Sequence, residues 1–186
     1  MPGDQRDHID FRQSTLNGPA QGQGIQFNDY RTIVERVAEP DHARLGVKAL
    51  RIRDYPTAVR HLGRAIEHDP ERAANHYYLS LANLGGVHPC VLKVDTARLS
   101  LEHLNRALTA LPSCTYARVT YLLIHDSLAS RYGNGRKTLS QAEKQLVRQA
   151  GKRHAQEITT HVPAPDNAWW RALSTLVPDA HEGRRR

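Results

Sequence analysis

When the chain is slid along itself by 34 residues, His42 falls on His76, Leu45 on Leu79, Val47 on Leu81 and Leu50 on Leu84. The segments that follow match at 42 instead, where Ala58 falls on Ser100, Leu62 on Leu104, Ala65 on Ala107, Ile66 on Leu108 and Pro70 on Pro112. The two offsets differ by 8, so the second unit holds an insertion. Gly, Pro and β-branched residues place it within Gly85 to Thr96. A second step of 42 carries Ser100 to Ala142 and Leu104 to Leu146, a third unit in degraded form. A repeat of this period is one helical pair that cannot bury its apolar face alone, so neighbouring pairs must stack.

Small residues fall where helix backbones in such a stack approach closely: Gly46, Ala58, Ala65, Ser80 and Ala107. Leu62 and Leu104 fill the gap between layers, as ridge-and-groove packing requires. Asp69-Pro70 and Pro112-Ser113 break the chain between units. The spacing His42-x2-Leu45-Gly46-x2-Ala49, followed by Tyr55, Ala58, Leu62, Ala65 and Pro70, resembles the tetratricopeptide repeat (TPR). In the second unit His76, Leu79 and Ser80, then Ser100, Leu104, Ala107 and Pro112, take the corresponding places. The Trp and Tyr usual on the first helices of that family are missing, and the third unit has Tyr121 and Leu122 where Leu-Gly belongs. The resemblance implies an all-α, TPR-like stack of helical hairpins in a right-handed superhelix.

The helical region is expected over residues 29–180, between an arm at 1–28 and a basic tail at 181–186. In the arm Ile9 and Phe11, and later Ile25 and Phe27, alternate with polar residues around the turn sequence "NGPAQGQG". It reads either as a short β-hairpin, marginal unless partnered, or as a disordered arm. The arm is similar to the Gly/Gln/Asn-rich leaders that precede helical-repeat regions in some actinobacterial signalling and conflict-system proteins. "DYRTIVERVA", from Asp29 to Ala38, reads as a helix stopped by Glu39-Pro40. Ser140 and Glu143 form a capping box for a long helix from Ser140 to about Thr160, with Leu139, Ala142, Leu146, Ala150 and Ile158 on one stripe. Trp169, Trp170, Leu173, Leu176 and Val177 follow at helical spacing and read as a C-terminal capping helix, the alternative for the paired tryptophans being an exposed aromatic anchor for a partner.

A superhelical stack presents a concave face lined by the first helix of each pair. Periodicity assigns Ala43, Val47 and Leu50, then Tyr77, Leu81 and Leu84, then Val119, Leu123 and Asp126 to that face. Some TPR proteins hold C-terminal carboxylates there through Lys and Asn, a set these positions lack. The expected partner is therefore a protein, offering an apolar helix or extended segment to Val47, Leu50, Tyr77, Leu81, Leu84, Val119 and Leu123. Phe11, Leu16, Ile25 and Phe27 of the arm suit the same groove, either within the chain as an autoinhibitory strap or in trans as a self-association arm that gives a homo-oligomer.

The formal charge of +7 favours anionic partners in general. From Arg131 onward there are 11 Lys/Arg against 5 Asp/Glu, so most of the excess lies in the last third. Lys144, Arg148, Lys152 and Arg153 on the long helix support the alternative of a nucleic-acid-associated repeat protein. No enzyme is expected. His125-Asp126-Ser127 are consecutive and point in different directions along a helix, and no nucleophile elbow is present. Gly133-Asn134-Gly135 is too short for a phosphate loop, and His88 with Cys90 falls short of a zinc ligand set. No metal or cofactor is expected. With two cysteines and no apolar stretch suited to a signal peptide or a membrane span, a cytoplasmic location is expected.

Overall fold

The computed structural model describes residues 41–177, all within a unit that begins at Pro40. These residues form seven α-helices: α1 (His42–Arg51), α2 (Tyr55–His68), α3 (Ala73–Leu84), α4 (Val94–Ala110), α5 (Thr115–Ser130), α6 (Gln141–His161) and α7 (Ala168–Ser174). A single 3-10 turn, Pro89–Val91, lies between α3 and α4, and there is no strand among the described residues. No described helix is long and apolar enough to cross a membrane. The arm residues Phe11, Leu16, Ile25 and Phe27, the helix expected at 29–38 and the tail at 181–186 lie outside the described residues.

Short-range chemistry sets the helix ends. The carboxylates of Asp41 and Asp54 accept the backbone N–H groups of Arg44 and Thr57 and open α1 and α2. Ser140 and Glu143 exchange side-chain and backbone hydrogen bonds at the start of α6, the capping box expected there. Gly85, at φ 61°, ends α3 in the left-handed conformation that glycine adopts at least cost.

Each helix packs on the next in sequence, from α1 on α2 through to α6 on α7. Tight spacing depends on the small residues. A Cβ added to Gly46 would lie 2.5 Å from Cγ of Leu62, so α1 has no room for a side chain where it meets α2. Ala58, Leu62, Ala65, Ala97, Leu104 and Ala107 point inward from α2 and α4 and are all buried. Helices α3 and α5 are buried almost all round, which places them at the centre of the unit.

The two repeat offsets carry His42 to His76 and His61 to His103, and the rings pair within each hairpin, His42 with His61 across α1 and α2 and His76 with His103 across α3 and α4. The Nδ1 atoms lie 2.9 Å apart in the first pair and 3.2 Å apart in the second, with the rings stacked. Nε2 of His76 donates to the carbonyl of Pro70 at 2.8 Å.

The insertion occupies the stretch between α3 and α4. The Arg131 guanidinium donates to the carbonyls of Pro89, Cys90 and Leu92 and so fastens it to the end of α5. On its other side His88 bonds Asp166, in the loop before α7, at 2.7 Å. That bond holds the Asp166 carboxyl below its ordinary pKa.

Candidate functional site

Of the seven residues expected to meet a partner, six are built into the core. Leu50, Tyr77, Leu81, Leu84, Val119 and Leu123 are each at most 1% exposed. They pack against the chain's own helices, and only Val47 is half-buried and reachable. Asp126, assigned to the same face, is buried as well and accepts hydrogen bonds from the Arg136 backbone N–H and the Asn167 side chain.

The second half of α6 packs against Tyr77, Tyr116 and Tyr55. This helix breaks at Gly151, whose φ of 77° and ψ of 160° lie far from helical values, and it resumes in a new direction. The His154 ring stacks on Tyr116 at 4.0 Å between centroids and meets Tyr77 edge-on at 6.3 Å. His161, at the far end, lies 3.3 Å from the Tyr55 hydroxyl of α2. Burial raises the Tyr77 phenol well above its ordinary pKa, with Glu157 adding to the effect. Burial also lowers the His161 imidazole, and the Arg53 charge acts in the same direction.

A cleft of about 520 Å³ lies between α1 and α3, lined by Ala43, Val47, Ala74 and Tyr78 together with charged groups at its edges. Arg44, Lys48 and Arg51 recur at helical spacing along α1, Arg72 precedes α3, and Arg153 enters from α6 just after the break. Asp41 is the single carboxylate of the lining. Among the described residues, Arg44 alone of these cations has an acid within ion-pair distance, Asp41 at 3.9 Å and largely exposed. Tyr78 is half-buried, and its phenol is raised by burial and by Glu157, while Arg153 and Arg51 oppose them. Those two guanidinium groups thus act on one ring from different walls.

The four cations singled out on α6 do not share one site. Arg153 belongs to the cleft, whereas Lys144 and Arg148 border a separate pocket of about 220 Å³ against α7. Lys152 is exposed and lines neither. The continuous helix expected from Ser140 to about Thr160 is the source of the difference, because Gly151 reorients everything after it. Ala142, placed on the apolar stripe, is exposed, and Val147 takes the buried position.

His125, Asp126 and Ser127 separate by role. The His125 ring is exposed and stacks on Tyr121. Asp126 and Ser127 both receive the Asn167 side-chain amide, at 3.0 Å each. Asn167 in turn accepts the Trp169 backbone N–H and opens α7, so this polar network docks the last helix on α5. Trp169 is 1% exposed and belongs to the core cluster.

Sequence reasoning did not select Arg44, Lys48, Arg51, Arg72 or Tyr78. The spacing of the three α1 cations was a visible signal, but Arg72 and Arg153 join them only through the turn before α3 and the break in α6. No protein-family model matches the chain, and comparison with curated proteins and with solved structures returned no match.

Proposed function

We propose that the protein is a non-enzymatic TPR-type interaction module, a right-handed superhelix of degenerate helical pairs that binds a protein partner at the α1–α3 face. The observation carrying this reading is the open cleft itself. It keeps Ala43, Val47, Ala74 and Tyr78 accessible on α1 and α3. Packing supports the repeat assignment: Gly46 abuts Leu62 across the first pair, and the same imidazole bridge recurs in two successive pairs. In this reading the protein acts as an adaptor or scaffold in the cytoplasm.

The experiment is site-specific photo-crosslinking in cells of the source organism. The full chain would carry a photoreactive amino acid at Val47 in one preparation and at Leu99, an exposed position outside the cleft, in another. A discrete protein adduct from Val47 that is missing from Leu99 is the expected result. The same adducts from both positions, or none from Val47, would count against a partner at this face. Self-association through Phe11, Leu16, Ile25 and Phe27 is a separate proposal, and light scattering on the full chain and on a variant lacking residues 1–28 decides it.

A further inference from the structure

The α1–α3 cleft has a charge pattern that an apolar partner would leave uncompensated. Five cations line it against one carboxylate, and four of the five have no acid within ion-pair distance among the described residues. Like charges gathered in a concavity repel one another, and low-dielectric walls strengthen their field. The Glu157 carboxylate lies near Tyr78 but is engaged by His154 Nδ1 at 3.3 Å, so it is already partly committed. A guest that brings carboxylates would remove the repulsion, and one that also brings methylene groups would cover Val47, Ala43 and Ala74.

Resting on the reading of this face as a protein-binding site, we infer that the cleft receives an acidic, glutamate- or aspartate-rich segment of a partner protein. Carboxylates would sit between Arg51 and Arg153, which approach Tyr78 from different helices, with Lys48 and Arg72 at the rims. Guanidinium groups suit this task because their planar fork takes a carboxylate through two parallel hydrogen bonds. The volume of about 520 Å³ falls within the ordinary range for ligand pockets, about 300–1,000 Å³. Tyr78 is the one aromatic side chain in the lining. A nucleic-acid strand would call for a longer basic track and a series of rings on which to stack bases.

The test is fluorescence anisotropy with the full chain and a labelled short oligoglutamate peptide, with oligoglutamine of the same length as control. Oligoglutamate should bind and oligoglutamine should not, and affinity should fall as NaCl rises from about 50 to about 200 mM. The double variant R51Q/R153Q should weaken binding about tenfold, the equivalent of about 1.4 kcal/mol. R60Q/R98Q, which removes equal charge from exposed positions outside the cleft, should leave it unchanged. Thermal melts of both variants confirm folding. Equal weakening by the two pairs would reduce the effect to net charge and overturn the inference. So would equal binding of oligoglutamine. An oligothymidylate that displaces oligoglutamate, with the same dependence on Arg51 and Arg153, would replace the acidic protein by a nucleic acid. If peptide binding fails while crosslinking at Val47 still yields a discrete adduct, the interaction module stands and only the acidic partner falls.

Discussion

Replacing Gly46 by alanine tests the contact between α1 and α2 at Leu62. In a free helix the change would stabilise by about 1 kcal/mol, the propensity difference between the two residues. Here the new methyl carbon would sit 2.5 Å from Cγ and 2.9 Å from Cδ2 of Leu62, and 3.2 Å from its backbone nitrogen. Carbon atoms prefer about 3.5–4.0 Å, so the overlap approaches 1 Å. Leu62 is 0% exposed and cannot swing into solvent, leaving an off-rotamer side chain or a displaced α1 as the only relief. Overpacking of this kind costs about 1–3 kcal/mol, and more where backbone has to move. The net expectation is a loss of about 1–2 kcal/mol. Gly63, the next residue after Leu62, supplies the control, since an added Cβ there meets nothing within 4 Å. G63A should gain about 0.5–1 kcal/mol. Urea unfolding followed by circular dichroism would read both. With a slope of about 2 kcal/mol/M, G46A should lower the midpoint by about 0.5–1 M at constant slope. The double variant G46A/L62A should fall short of the summed single effects, because removing the leucine removes the clash. If G46A proves as stable as G63A, α1 and α2 do not cross in the manner described.

Three further perturbations address other parts of the unit. G151A should destabilise by about 1–3 kcal/mol although space is available, because φ 77° with ψ 160° is accessible in practice to glycine alone; a thermal melt measures it. N167A removes the α7 cap and the donor to buried Asp126, and should cost about 2–3 kcal/mol by urea titration and release the near-UV signal of Trp169. Acidification should weaken the fold. The imidazoles of His61, His103 and His161 are all lowered, in each case by desolvation first. His42, Arg60 and Arg64 add to the effect on His61, His76 and Arg106 add to it on His103 while Glu102 opposes, and Arg53 adds to it on His161. Below a pH of about 6.5 the unfolded chain binds protons that the folded chain resists, so stability falls from there down through the folded pKa values and is complete above that window. Urea midpoints from pH 7.5 to pH 5.5 should decline, and H61Q/H103Q should flatten that decline; a pH-independent midpoint in the parent would refute the assignment.

The helical hairpins were legible because their information is local and repeated. Asp54 before Tyr55-Pro56, Gly85 after Leu84, and the Ser140/Glu143 box each mark an end within a few residues. The spacing of Gly46 and Leu62 was legible through self-similarity. What the sequence concealed was the course of α6. Gly151 sits between Ala150 and Lys152 with no proline or turn cluster to mark a break, and its positive φ interrupts the helix there. Without that break, the face carrying Leu81 and Val119 reads as an open groove, and Lys144, Arg148, Lys152 and Arg153 read as one basic stripe. The cleft was hidden for the same reason, since Arg153 reaches it only through the redirected half of the helix.

An open solenoid can gain or lose units freely, because each touches only its neighbours. This chain lacks that freedom. Past Gly151 the return segment reaches α3 through His154 and Tyr77, and α2 through His161 and Tyr55. One extra helical pair inserted between α4 and α5 would draw those partners apart by a full unit and carry Arg153 away from α1. The return segment therefore fixes the length of chain between α3 and Gly151, because its contacts with Tyr77 and Tyr55 must be kept in register.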